Sequence, residues 1–157
     1  MGNLSKSKER VRKHAEVFTP IHIVREMIDL IEQEDNGEDP WAIGKTWLEP
    51  SCGNGVFVGE IVRRKLEHCL DIYSGIAAMR DVYAIDIQAD NVEQAKCQAM
   101  GQFVRWACRN GYFVTSDDLF PVNEALYRNF VIGDFLKPET IKLYDWELNK
   151  YVTLKEG

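Results

Sequence analysis

The chain has 157 residues, a length that fits one compact domain, and a hydrophobic content of 45% with 11% aromatics is enough to fill a core. No apolar run reaches the ~20 residues needed to span a bilayer, and the polar, basic start lacks the apolar segment of a secretory leader, so no membrane association and a cytoplasmic location are expected. The net charge of −6 is unevenly spread: Lys6, Lys8, Arg10, Arg12 and Lys13 against Glu9 give the first fourteen residues +4 and leave −10 to the rest. A basic arm, residues 1–14, therefore precedes a single domain, residues 15–157. The arm reads either as a solvated terminus or as a contact for nucleic acid such as DNA. Cys52, Cys69, Cys97 and Cys108 are too far apart for a Cys-x-x-Cys site, and His14, His22 and His68 form no ligand pattern, so no metal is expected.

After the arm, Phe18-Thr19-Pro20 reads as a helix start, with threonine capping and proline in the first turn, where its missing N–H is not needed. Val24, Met27, Ile28 and Ile31 follow at i, i+3, i+4 and i+7, the buried stripe of an amphipathic helix. An acidic, turn-rich loop around Glu34-Asp35-Asn36-Gly37 and Asp39-Pro40 leads to a short buried strand over residues 45–48. A glycine loop comes next, and Val56, Phe57, Ile61, Val62, Leu66 and Cys69 recur after it at helical spacing. Residues 82–86 form a second apolar run ending in a carboxylate, and the helix behind it turns Val92, Ala95, Ala99, Phe103 and Ala107 inward. Between Arg109 and Asn129 the turn residues Gly111, Ser116-Asp117-Asp118 and Pro121 predict a loop with a short helix. Asn129-Phe130-Val131-Ile132 is a third strand ending at Gly133-Asp134-Phe135. Leu143, Tyr144 and Trp146 before Asn149-Lys150, with Tyr151, Val152 and Leu154 after it, predict a closing β-hairpin. The fold class is α/β: a short, mostly parallel sheet flanked by helices, with a C-terminal hairpin. Three parallel strands leave edges open, so the hairpin is expected either to cover one or to join two chains as a homo-oligomer.

Three strands thus end in acids, Glu49, Asp86 and Asp134, and open α/β sheets bind ligands at the carboxyl ends of their strands. Gly53 and Gly55 let the loop backbone approach a ligand, and Glu49 offers negative charge to a cation. Asp86 stands where a carboxylate accepts from ribose hydroxyls, and Asp134 with Phe135 offers an acceptor for an exocyclic amine and an aromatic surface for a base. A pyrophosphate would be repelled by these carboxylates, since the loop holds no lysine or arginine, whereas a sulfonium carrying an amino group would be attracted. This favours S-adenosylmethionine over NAD or ATP. Taken singly, the glycine pair reads equally as a tight turn, Asp86 as a helix cap and Gly133-Asp134 as a turn; their order, each after a predicted strand, is what points to a pocket.

Glu16-Val17-Phe18-Thr19-Pro20, Leu48-Glu49-Pro50-Ser51-Cys52-Gly53-Asn54-Gly55-Val56-Phe57, Tyr83-Ala84-Ile85-Asp86 and Gly133-Asp134-Phe135 together resemble the cofactor half of S-adenosylmethionine-dependent N6-adenine DNA methyltransferases. The subgroup is the one related to restriction-modification modification subunits, and the resemblance covers roughly residues 14 to 136. It implies a truncated Rossmann-like methyltransferase fold. It also implies that Phe18, Thr19 and Pro20 close over the methionine part of the cofactor, and that Glu49, Pro50, Ser51, Cys52, Gly53, Gly55 and Phe57 surround its amino-acid end. Asp86 would hold the ribose, Ile87 would lie against the adenine, and Asp134 with Phe135 would recognise it.

The family's Asn/Asp-Pro-Pro-Tyr/Phe segment, whose polar group positions the target amine while its aromatic stacks on the flipped base, has no counterpart, because the sequence contains no Pro-Pro pair. The catalytic residues are therefore unassigned. Three functions follow as expectations: methylation of DNA adenine with a partner chain supplying the missing segment, a non-catalytic S-adenosylmethionine sensor, sequestering protein or regulatory subunit, and, more remotely, an enzyme that degrades the cofactor.

Overall fold

The computed structural model describes residues 18–34 and 37–154; the basic arm, together with Glu16 and Val17 of the first resembling segment, lies outside them. The described residues form five α-helices, a three-stranded parallel sheet and a C-terminal antiparallel hairpin. None of these helices is long and apolar enough to cross a membrane. In chain order the elements are α1 (Ile21–Glu34), β1 (Trp47–Glu49), α2 (Val56–Glu67), α3 (Ile72–Met79), β2 (Val82–Asp86), α4 (Ala89–Arg109), α5 (Ser116–Asn129) and β3 (Phe130–Ile132). A 3-10 turn (Pro138–Thr140), β4 (Lys142–Asp145) and β5 (Lys150–Thr153) complete it. The sheet order is β1-β2-β3, all parallel, with Glu49 opposite Ala84 and Asp86 opposite Ile132.

The core lies on the helical face of the sheet. Val82 and Ala84 of β2 are buried in one cluster with Val58, Val62 and Leu66 of α2, Ala95, Ala99 and Phe103 of α4, and Val122 and Leu126 of α5. The inward stripe read for α4 is the buried one: Val92, Ala95, Ala99, Phe103 and Ala107. Tyr83 and Ile85, alternating to the other face, meet the C-terminal segment. The Tyr83 hydroxyl donates to the Tyr144 carbonyl at 2.8 Å, and Ile85 and Ile141 approach each other beside Gly133. The hairpin thus covers a sheet face. Of the two expected roles, it does not cover an edge by strand pairing, for β4 and β5 pair only with each other and no described strand pairs with the outer edge of β1 or β3.

Four local expectations change. The first strand begins at Trp47, where the amide reaches the Asp81 carbonyl at 2.8 Å, two residues later than read from hydrophobicity. Helix α1 begins at Ile21, with the Pro20 carbonyl accepting from the Val24 amide, one residue past the expected start. Its buried stripe is also turned: Val24 and Ile28 are in the core, but Met27 and Ile31 are 46% and 50% exposed. The reason is that Arg25, Asp29 and Glu32, on the other side of the Val24–Ile28 line, face charged residues of α2. Finally, the segment read as mostly irregular contains a 14-residue helix, α5. Thr115 and Asp118 form a reciprocal capping box at its start, and Pro121 is accommodated within it. The same device, Asp71 with Ser74, starts α3, an element that hydrophobic periodicity did not reveal.

Candidate functional site

The carboxyl ends of β1, β2 and β3 lie side by side, with neighbouring strands about 4.8 Å apart. Glu49, Asp86 and Gly133-Asp134 are therefore gathered along one rim. From β1 the chain turns sharply: the Glu49 carboxylate accepts from the Ser51 amide at 3.0 Å, and the Cys52 amide reaches across to the Ile85 carbonyl at 2.9 Å. Gly53 and Gly55 both have positive φ, +51° and +86°, and Gly55 directly precedes α2. Gly55 has a second reason to lack a side chain, since a Cβ there would stand 2.5 Å from the Cα of Ala95 in α4. The loop can sit this low only because α4 meets bare backbone.

Asp86 ties the rim together. One carboxylate oxygen accepts from the Gly53 amide at 2.9 Å, and the other accepts from the Gln88 amide at 2.8 Å and from Asn91 Nδ2 at 3.0 Å. Its carbonyl takes the Gly133 amide at 2.9 Å, which fixes the end of β3. The side chain is buried, and since a carboxylate offers about four acceptor positions, three internal donors leave about one for anything else. Asn91 is the residue that sequence reading missed: a fully buried carboxamide on the first turn of α4, five residues after the aspartate it holds.

A cavity of about 100 Å³ opens above the loop. Phe18 and Thr19 line it together with Glu49, Ser51, Cys52, Gly53 and Phe57, all expected site residues, and with Asn54 and Val56, which were not singled out. Segments thirty residues apart are thereby joined. Burial pushes the Glu49 carboxyl above its usual range, the Ser51 amide partly offsets this, and the negative charge of Asp86 raises it further. No basic residue lines this cavity, so a cationic group would relieve the strain between the two acids.

Pro20, Pro50, Gly55, Asp86, Ile87, Asp134 and Phe135 do not line this cavity. Pro20 and Pro50 flank lining residues, and Gly55 and Asp86 support the loop from beneath. Ile87 and Phe135 stand exposed at the ends of β2 and β3, beyond the cavity wall. Asp134 is half-buried, accepts from the Leu136 amide at 3.0 Å and lies 4.0 Å from Lys137 Nζ. The described residues contain no His/Cys/Asp/Glu group able to hold a metal ion.

A larger cavity, about 590 Å³, lies elsewhere, between the hairpin and β1, with Ile43, Trp47, Leu48, Leu143 and Val152 in its walls. Three of its charged groups have internal partners: Asp81 pairs with Lys65 at 3.0 Å and accepts from the Gly44 amide, Arg80 lies over the Trp146 ring at 4.6 Å, and Asp145 accepts from the Glu147 and Leu148 amides. The smaller, strand-end cavity differs in holding a carboxylic acid, Glu49, whose pKa burial raises. Comparison with protein-family models, with curated proteins and with solved structures finds no match to this chain.

Proposed function

We propose that the chain binds S-adenosylmethionine along the carboxyl rim of its sheet, as the cofactor half of a Rossmann-like N6-adenine DNA methyltransferase fold. The observation that carries the reading is the cavity in which Phe18 and Thr19 meet the glycine loop beside Glu49, an acid already raised by burial and by Asp86. Such a recess takes the ammonium group of the cofactor's methionine part, next to its sulfonium. Ligand sites usually measure about 300–1,000 Å³, so the remainder extends over the open strand ends. There Asp86 has about one acceptor position left for a ribose hydroxyl, and Ile87, Asp134 and Phe135 follow along the rim at the spacing of the strands. Three neighbouring acids disfavour a pyrophosphate.

Because the sequence holds no Pro-Pro pair, transfer to adenine N6 calls for a partner chain that supplies the amine-positioning segment. The same absence favours a second reading, a non-catalytic cofactor sensor or regulatory subunit. Calorimetric titration with S-adenosylmethionine and S-adenosylhomocysteine tests the shared core of both: saturable binding is expected, with Asp86→Ala abolishing it by releasing the Gly53 amide. Absence of binding to the wild-type chain would overturn both. A methyl-transfer assay on unmodified DNA then separates them, since transfer by the purified chain would contradict the need for a partner.

A further inference from the structure

The roof of the small cavity hangs from α1, and α1 is held largely by charge. Only Val24 and Ile28 of this helix enter the core, while Ile23, Met27, Leu30 and Ile31 stay exposed. Its polar side rests on Arg64 of α2. Arg64 Nη1 lies 2.7 Å from Asp29 and 2.8 Å from Glu32, Nη2 donates to the Arg25 carbonyl at 3.3 Å, and Nε donates to Glu60 at 3.0 Å. Glu60, buried one turn beyond the glycine loop, is in turn bound by Arg63 at 2.7 Å and lies 3.5 Å from Arg25 Nε of α1. Trp41 donates its indole N–H to Glu32 at 2.7 Å, which completes the support from below. Among the described residues, Arg64 is the one side chain that joins carboxylates of α1 to the buried carboxylate of α2. Phe18 and Thr19 stand immediately before α1, so whatever fixes this helix fixes the roof over Cys52 and Gly53.

We infer that Arg64 is a positioning residue for the proposed cofactor site: by clasping α1 to α2 it holds Phe18 and Thr19 over the glycine loop and so sets how tightly a ligand is enclosed. The inference rests on the proposed site for its ligand-binding part only, because the closed roof can be read without any ligand. Cys52 supplies that reading. Cys52 is among the residues that line the cavity, packs in the core with Val24 and Ile28 of α1 and is 5% exposed, whereas Cys97 and Cys108 are exposed and serve as internal standards in the same molecule.

Arg64→Met keeps the aliphatic stem and removes the guanidinium. If the roof is open about a tenth of the time in the wild type and about nine-tenths of the time in the variant, the labelling rate of Cys52 by iodoacetamide, mapped by mass spectrometry, rises about ninefold and the Kd for S-adenosylmethionine rises by a similar factor. Arg64→Lys should fall between the two proteins, as it restores the charge without the fork. Val122→Ala in α5 lowers stability through the core and should leave Cys52 labelling unchanged, which distinguishes a clasp from general loosening. Unchanged Cys52 labelling in Arg64→Met, or an equal rise in Val122→Ala, would overturn the inference. Faster labelling with no binding to the wild-type chain would sustain the clasp and remove the cofactor reading instead.

Discussion

At the scale of single residues, Glu49 and Asp86 show how one rim divides two tasks between like charges. Asp86 spends most of its hydrogen-bonding capacity on the protein, holding the Gly53 amide, the Gln88 amide and the Asn91 carboxamide. Glu49 accepts from the Ser51 amide, and burial raises its pKa against that bond. An acid raised in the folded state contributes stability that is present below its unfolded pKa and is lost as pH climbs through the folded value, so ionised Glu49 opposes folding at neutral pH. Glu49→Gln is therefore expected to raise the Tm of the ligand-free protein at neutral pH while weakening S-adenosylmethionine binding. Thermal unfolding and calorimetry on the same samples check this, and a Tm that falls together with affinity would mean that Glu49 is structural. Such opposition between stability and binding is expected where a buried acid also serves a ligand.

At the scale of elements, the junction of α1 and α2 is the part of the fold in which electrostatics carries weight usually given to apolar packing. The three arginines around Glu60 hold its carboxyl well below the ordinary range, down to about 2, against the opposing effect of burial. A depressed carboxyl contributes stability above its unfolded pKa, here 4.5, and the contribution disappears as pH falls from there to about 2. Helix α1 is accordingly expected to detach in this acid window before the sheet unfolds. Amide exchange or circular dichroism, read as the difference between wild type and Glu60→Gln, checks it; identical acid profiles for the two proteins would show that Glu60 does not hold the junction. The element-level differences from expectation have two separate local causes. Met27 and Ile31 look buried because periodicity counts apolar residues, whereas the rotation of α1 is decided by which side meets Arg64. Helix α5 was obscured by Pro121 and the Ser116-Asp117-Asp118 run, although Thr115 and Asp118 spell a capping box that outweighs both.

At the scale of the whole molecule, a buried lysine joins parts that are remote in sequence. Lys65 of α2 is 1% exposed, and its ammonium group donates to the carbonyls of Ala42 and Lys45 at 3.1 and 2.8 Å and pairs with Asp81 at 3.0 Å. It thereby fixes the loop before β1 and the turn before β2 to one helix. The Trp41–Trp47 stack, with centroids 4.4 Å apart, packs the same region. Lys65→Met would leave Asp81 and several carbonyls buried without their cation, at a cost of about 3–5 kcal/mol and a Tm lower by roughly 10 °C. Denaturant unfolding measures this; a change under about 1 kcal/mol would mean that water replaces the amine. The hairpin acts at the same scale, because by covering the Tyr83–Ile85 face it gives the parallel sheet its second layer.

The sequence alone determined the strand-loop-helix order around residues 48–57, the inward face of α4, the three acids at strand ends and the closing hairpin, since each is written in local spacing or turn chemistry. It also marked most of the residues that line the small cavity, because a glycine loop and its flanks are contiguous. The meeting of Phe18 and Thr19 with the glycine loop was already implied by the resemblance, whereas only the tertiary structure decided that Asn91 and Gly53 hold Asp86, that Arg64 clasps α1, and that the hairpin pairs with no sheet edge. Those facts depend on which surfaces meet after folding, and pairing between distant charges or buried amides leaves no periodic trace in the chain that makes them.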